Sequence, residues 1–396
     1  MTTTIDNEHK IFNVPNLRFP EFEGEWENCK LGDVAMVVGG GTPDTNNHKY
    51  WNGDIQWFTP SEIGRDKYVT NSLRTISEEG LNKSSAKLLP IGTILLSSRA
   101  TVGECSINKV ECTTNQGFQS LITKEYFSKE FVFYLMQTKR KELIRKSCGS
   151  TFLEISANEV RKIKIAVPTS KEQEKISKLL ALLDERIATQ NKIIEDLKKL
   201  KSAIIEIEYS PKTKTSSHIG DFIVQTSKRN KDNAIQTILS ISNRQGFIQQ
   251  SEQFENRSVA SDDTSNYKIV ERNSFAFNPA RINVGSIARL ATFDRGIVSP
   301  MYICFRTKDN LFPEYLDYYF ESKQFFTEIQ KRLEGSVRQC LSFEGLCNIP
   351  LSIPTIEVQQ KTGKRLSTLA QEIKLEIDFL ELLQKQKKFL LHQMFI

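Results

Sequence analysis

Ile165-Ala166-Val167-Pro168-Thr169-Ser170-Lys171-Glu172-Gln173 and Leu351-Ser352-Ile353-Pro354-Thr355-Ile356-Glu357-Val358-Gln359 are the two stretches that decide the fold of this chain. Each is a short apolar run, then a proline, then the opening of a long amphipathic segment. Proline suits that junction, because its ring fixes φ and it has no N–H to leave unpaired in a first helical turn. The two prolines lie 354 − 168 = 186 positions apart. From about residue 170 to 207, apolar side chains recur at Ile176, Leu180, Leu183, Ile187, Ile194, Leu197 and Ile204, with Gln190 and Lys201 interrupting the series. Steps of four and three make a heptad pattern, the mark of a helix that packs along another helix. Eight basic and eight acidic residues between positions 171 and 208 predict a solvated, sign-mixed outer face. From about residue 355 to 395, Leu366, Leu369, Ile373, Leu380, Leu383 and Leu390 form a similar seam.

Working outward, the duplication extends upstream of both helices. Gly149-Ser150 matches Gly335-Ser336 at the same offset of 186. Leu31-Gly32-Asp33 resembles Ile219-Gly220-Asp221, and Arg99-Ala100-Thr101-Val102-Gly103 resembles Arg281-Ile282-Asn283-Val284-Gly285. Landmarks in the same order, ahead of matching helices, point to an internal duplication of long period. The expected architecture is α/β (α+β): two globular domains, each followed by a long coiled-coil helix, in a pseudo-two-fold repeat. The expected boundaries are 1–167 for the first domain, 168–210 for the central helix, 211–353 for the second domain and 354–396 for the C-terminal helix. Between landmarks the halves diverge. The first carries Val38-Gly39-Gly40-Gly41-Thr42-Pro43-Asp44, and the second carries Thr226-Ser227-Lys228-Arg229-Asn230-Lys231-Asp232. A shared framework with different loops predicts two readers on one scaffold.

The 396 residues, 39% hydrophobic and 26% charged, have the balance of a soluble globular protein and allow two or three domains. No run approaches the ~20 apolar residues of a membrane span, and the polar start shows no signal peptide, so the expected compartment is the cytoplasm. The seven cysteines form no C-x-x-C pair and are expected to be reduced, mostly packed thiols. The four histidines are too scattered for a metal site, and none is expected. The net charge of +6 permits nucleic-acid binding without demanding it.

Familiar catalytic signatures are missing. No G-K-[S/T] follows the glycines at 39–41, and their spacing is not that of a dinucleotide fingerprint. The run fits a turn or a ligand-facing loop. Amino-group DNA methyltransferases carry Asn/Asp-Pro-Pro-aromatic, whereas Asn278-Pro279-Ala280-Arg281 lacks the second proline and the aromatic. There is no G-x-S-x-G elbow. The expectation is a non-catalytic protein without a cofactor. An enzyme with unrecognised motifs and a plain coiled-coil scaffold are the competing readings.

The loops are rich in groups that read base edges and hold phosphates: arginine for guanine, amides for adenine, hydroxyls for either. The candidate DNA-binding residues are Thr42, Ser61, Arg99, Thr101, Asn115, Gln116, Lys228, Arg229, Arg244, Asn278, Arg281 and Asn283. Arg99 and Arg281 follow strand-like runs at equivalent places, which fits either a contact to DNA or a structural salt bridge. The cluster from Lys228 to Lys231 fits a phosphate grip or a solvated loop. Asn115-Gln116-Gly117-Phe118 reads bases or closes a turn. Trp51, Trp57 and Phe58 belong to the core, staple a loop, or stack on bases.

The opening Pro15-Asn16-Leu17-Arg18-Phe19-Pro20-Glu21-Phe22, with Trp26 and Leu31-Gly32-Asp33, resembles the start of type I restriction-modification specificity subunits. Gly40-Gly41-Thr42-Pro43, Tyr50-Trp51-x-Gly53-x-Ile55-x-Trp57, Arg99-x-x-Val102-Gly103, Asn115-Gln116-Gly117-Phe118 and Pro168-x-x-x-Glu172-Gln173-x-x-Ile176 continue the resemblance. The second half departs from it: Gly-Gly-Thr-Pro is missing, Val298-Ser299-Pro300-Met301 replaces Asn-Gln-Gly-Phe, and Val358-Gln359 replaces Glu-Gln. The resemblance implies that each globular segment is a target-recognition domain reading one half of a split, asymmetric site in double-stranded DNA. It also implies that the two long helices pair antiparallel, separate the two target-recognition domains and dock two methyltransferase subunits, through which restriction subunits join. Ile176, Leu180, Leu183, Ile187, Leu366, Leu369, Ile373 and Leu380 are the residues expected to serve that docking. A helix of ~38 residues is roughly 57 Å long, enough to set two readers one DNA turn, roughly 34 Å, apart.

Overall fold

The computed structural model of the protein describes residues 13–149, 153–210, 216–243, 245–250, 263–335 and 339–396. The chain divides into two compact units: residues 1–189 with 379–396, and residues 190–378. Each unit therefore holds a β-rich domain and a stretch of both long helices.

Among the described residues, the first unit has ten strands: β1 (Glu27–Lys30), β2 (Ala35–Gly39), β3 (Trp51–Phe58), β4 (Tyr68–Val69), β5 (Arg74–Ile76), β6 (Ile94–Leu96), β7 (Cys105–Asn108), β8 (Cys112–Thr114), β9 (Gln119–Thr123) and β10 (Lys164–Val167). They form a sheet β2-β9-β6-β7-β4, a sheet β5-β3-β8 and a pair β1-β10. The second unit has β11 (Ile223–Thr226), β12 (Ile238–Ser242), β13 (Gly246–Gln249), β14 (Lys268–Glu271), β15 (Phe275–Phe277), β16 (Ile287–Arg289), β17 (Arg295–Val298) and β18 (Ile303–Thr307), in sheets β11-β18-β15-β16 and β13-β12-β17-β14.

The two domains share one topology. The order β2-β9-β6-β7 recurs as β11-β18-β15-β16, and β5-β3-β8 recurs as β13-β12-β17. In each, the middle strand of the second sheet runs parallel to one neighbour: Gln56 opposite Cys112, and Ile238 opposite Ile297. The landmarks behave alike too. Asp33 accepts the Lys30 N–H at 2.9 Å, and Asp221 accepts the His218 N–H at 2.7 Å, each capping a one-turn helix. Gly103 and Gly285 close the loop after β6 and β15 with φ of +85° and +89°, a left-handed conformation that a Cβ strains. Of the Gly-Ser landmarks, Ser150 and Ser336 lie outside the described residues.

The two long helices span Ser170–Glu208 and Ile356–Met394, 39 residues each. Within each unit they run antiparallel. In the first, Ile176 and Leu180 share a core with Met394 and Phe395, while Asp184 pairs with Lys387 at 2.6 Å. In the second, Gln190 donates to the Glu376 carbonyl at 3.1 Å, and Ile204 and Ile205 share a core with Leu366. Both breaks in the seam are satisfied polar groups. Gln190 also donates to the Glu376 carboxylate, and Lys201 pairs with Glu321 at 2.7 Å.

The seam continues into the domain cores. The first joins Leu31, Ile94, Leu121 and Phe131–Met136 side chains such as Tyr134 to the helices, and the second joins Phe275, Phe305, Leu316 and Leu346. Each such side chain, fully buried, contributes about 1.5–3 kcal/mol. Tyr134 reinforces the first junction, donating its hydroxyl to Asp184 at 2.7 Å while accepting from Lys67 at 3.0 Å. Burial, then the bond to Asp184, pushes the Tyr134 hydroxyl pKa up; burial pulls Lys67 down. Tyr318, in the corresponding place of the second unit, bonds Ser367 at 3.1 Å.

All seven cysteines are free thiols. Cys105, Cys112 and Cys304 are buried, and burial pushes each thiol up to about 12, where it is an inert packing group. Among the described residues, no helix is long and apolar enough to cross a membrane.

Candidate nucleic-acid interface

In the first domain the connections leaving β2, β3, β6 and β8 meet at one rim. The loop after β2 is pinned there by the Gly41 N–H to the Thr114 carbonyl at 2.8 Å and by the Trp57 indole to the Gly41 carbonyl at 2.9 Å. The Trp51 indole bonds the Asp44 carbonyl at 3.1 Å. Both indoles and Phe58 are buried, so these aromatics are core residues that staple a loop. The glycines allow the close approach: a Cβ at Gly40 would lie 2.0 Å from the Asn115 carbonyl oxygen, and one at Gly41 would lie 2.4 Å from the Ala86 nitrogen.

Six predicted residues converge on this rim. Thr42 donates its hydroxyl to the Gln116 side-chain oxygen. Asn115 accepts the Gly117 N–H at 2.8 Å, closing the turn before β9. Gly117 packs on Pro60, whose carbonyl accepts from Thr101 at 3.5 Å, beside exposed Ser61. Arg99 pairs with Glu154 at 2.8 Å, with both side chains more than a third exposed. Ion pairs that exposed are worth about 0–1 kcal/mol, so Arg99 is held loosely enough to exchange a carboxylate for a phosphate.

In the second domain the loop after β15 holds Asn278, Arg281 and Asn283. Asn278 caps it, accepting the Ala280 N–H at 3.1 Å, and touches the Met301 sulfur at 3.8 Å. Gly285 closes the loop against Asn243 in the β12–β13 hairpin. Arg281 is exposed and has no ion pair among the described residues. Arg244 lies outside the described residues. Lys228 and Arg229 leave β11 as Gly40 and Gly41 leave β2, but they run along the β14 edge, where Ile269 donates to the Lys228 carbonyl at 2.8 Å. Arg229 donates to Asn266 at 3.1 Å. Asn230, from the same cluster, is fully buried and bonded to Ile235 through both ends of its amide. Lys228, Arg229, Lys231 and Arg295 line a cleft of about 730 Å³ together with Asp232. Arg295 was not singled out by sequence reading, because nothing marks a lone arginine at the start of a strand.

The alignment of Val298-Ser299-Pro300-Met301 with Asn-Gln-Gly-Phe needs a correction of one residue. β9 begins directly after buried Phe118, and β18 begins directly after buried Tyr302. Tyr302 therefore fills the place of Phe118, and Pro300 that of Gln116. The helix residues expected to dock partners are placed inside the chain: Ile176, Leu180, Leu183, Leu366 and Ile373 are buried, and Ile187, Leu369 and Leu380 are half-buried beside them. The exposed apolar side chains lie on other columns of the same helices. On the C-terminal helix they include Leu375, Leu382 and Phe389, seven residues apart, besides Val358 and Phe379; on the central helix they include Ile193, Leu200 and Ile207, besides Leu182.

Residues 23–199 and 246–384, one stretch from each half, match the family model of the type I restriction modification DNA specificity domain. The chain belongs to this specificity-subunit family. The MjaIX type I specificity subunit of Methanocaldococcus jannaschii is 37% identical over 180 residues, 44% of this chain and 42% of the relative. The EcoR124I/EcoR124II specificity subunit of Escherichia coli is 31% identical over 188 residues, 46% and 45% of the two chains. Each match thus spans less than half the length of the relative. An S subunit of the type I system of M. genitalium shares the fold with a TM-score of 0.59 at 15% identity, covering 97% of this chain and 99% of that one. A chain from the structural study of assembly and conformational transition in a type I system does so at 0.58 and 14%, covering 92% and 96%.

Proposed function

We propose that this specificity-family chain is the DNA-reading, non-catalytic subunit of a type I restriction-modification complex acting in the cytoplasm. Each domain reads one half of a bipartite, asymmetric site in double-stranded DNA, and the chain directs methyltransferase and restriction subunits to that site. The observation carrying this reading is one sheet topology present twice, with Thr42, Ser61, Arg99, Thr101, Asn115 and Gln116 on one set of loops and Asn278, Arg281 and Asn283 on the other. One scaffold with two unlike rims is what an asymmetric target requires, since phosphate contacts position a protein while base-edge contacts specify sequence. The domains are divided as 1–167 and 211–353, with 168–210 and 354–396 as spacer helices. The partners are two methyltransferase subunits, docked on the exposed columns of the helices, and restriction subunits joined through them.

Replacing residues 1–167 by the first domain of another family member, in cells carrying the partner subunits, tests the modular part. A map of methylated adenines is expected to change in one half-site only. A change in both halves, or in neither, contradicts the reading.

A further inference from the structure

We infer that Gln116, its amide orientation set by Thr42, reads one base pair for the first domain, and that the base read presents hydrogen-bond acceptors, guanine above the others. This deepens the DNA-reading role proposed above and rests on it. Two adjacent amides sit on the rim, and the structure gives them different work. Asn115 spends its side-chain oxygen on the Gly117 N–H at 2.8 Å and is half-buried, so it shapes the turn. Gln116 is exposed, and its one side-chain bond among the described residues is the one its oxygen accepts from the Thr42 hydroxyl. With the oxygen held, the NH2 group is the end left to present two donors outward.

Thr42 is itself fixed. The Gly41 N–H, the Trp57 indole and the two close-packed glycines hold the loop against β8. That pre-organisation distinguishes a reader from a mobile surface glutamine, which would have to be ordered on binding. A free glutamine pairs with adenine through both ends of its amide, accepting from N6 and donating to N7. One whose oxygen already accepts from Thr42 keeps a single lone pair but both N–H donors, so it favours a base that presents acceptors, and in the major groove guanine offers two, N7 and O6. The second domain has Pro300 at this place, which has no side-chain donor, so its half-site lacks a contact of this kind.

The test uses the chain with its methyltransferase partner and maps methylated sites for Thr42→Val, Thr42→Ser and Gln116→Ala. Gln116→Ala is expected to lose discrimination at one guanine-bearing position of one half-site, on the order of tenfold. Thr42→Val frees the amide, so that position then accepts adenine as well as guanine. Thr42→Ser keeps the hydroxyl and the wild-type site. Binding of the purified complex to duplexes carrying each base at that position gives the same readout where methylation is lost. An unchanged site in Gln116→Ala, loosening of both halves, or an unchanged site in Thr42→Val overturns the inference. If the domain exchange alters one half-site while Gln116→Ala does not, the inference fails and the DNA-reading role stands. If the exchange alters neither, that role fails first.

Discussion

Gln173 and Gln359 show what the paired helix openings are for. Gln173 accepts the Ser128 N–H and donates to the Pro168 carbonyl, both at 3.0 Å. Gln359, 186 positions later, accepts the Phe312 N–H at 2.8 Å and donates to the Pro354 carbonyl at 2.9 Å. Both are buried, and each ties the first turn of a long helix to the helix of its own domain. The neighbouring position explains the departure of the second half. Glu172 is buried and held by Arg18 through two bonds of 2.8 Å and by the Trp26 indole at 3.2 Å, whereas its counterpart Val358 is exposed. The hydrogen bond to Glu172 raises the Arg18 pKa further, keeping the guanidinium charged. Gln173→Ala and Gln359→Ala are each expected to lower unfolding stability by about 1–3 kcal/mol, since buried backbone groups lose their partners. Denaturant unfolding measures this; a change below about 0.5 kcal/mol in both contradicts the anchoring role. The sequence displayed the two glutamines at once. It did not display Ser128 or Phe312, because those partners come from 45 and 47 residues away.

At the scale of the element, the heptad pattern was legible and its consequence was not. Steps of three and four announced a helix covered along one side, and the seam residues are buried or half-buried. A periodicity states that a stripe is covered without stating by what, and here the covering is supplied by the chain itself. On the proposed docking role, the partner face lies on the exposed columns. Leu382→Asp with Phe389→Asp is expected to abolish co-purification of the methyltransferase subunits while leaving the melting temperature of the isolated chain within a few degrees, because both side chains already face solvent. Retained association sinks this assignment of the face. The same limit applies to the strands: an apolar run such as residues 93–98 marked β6, but the ion pair of Arg99 depends on Glu154, a residue 55 positions on (154 − 99).

For the whole molecule, the spacer role proposed for the helices makes a prediction about DNA. A heptad inserted after Leu197, matched by one in the opposing stretch of the C-terminal helix, keeps the seam in phase and adds roughly 10 Å of helix. The unread spacer of the target is expected to lengthen by about three base pairs, read from the methylation map; an unchanged spacer contradicts the role. By itself the sequence determined the duplication, the two helices and the family resemblance. All of these rest on order and periodicity along the chain, which local sterics and side-chain polarity impose. Only the tertiary structure decided which side chains are spent inside the fold. Asn115, Asn230 and the seam leucines are consumed internally, while Gln116, Arg281 and the outer helix columns remain exposed. Residue type alone cannot make that division, because an amide or an arginine has the same donors wherever it stands. Whether they are already satisfied depends on groups brought close by folding from distant parts of the sequence.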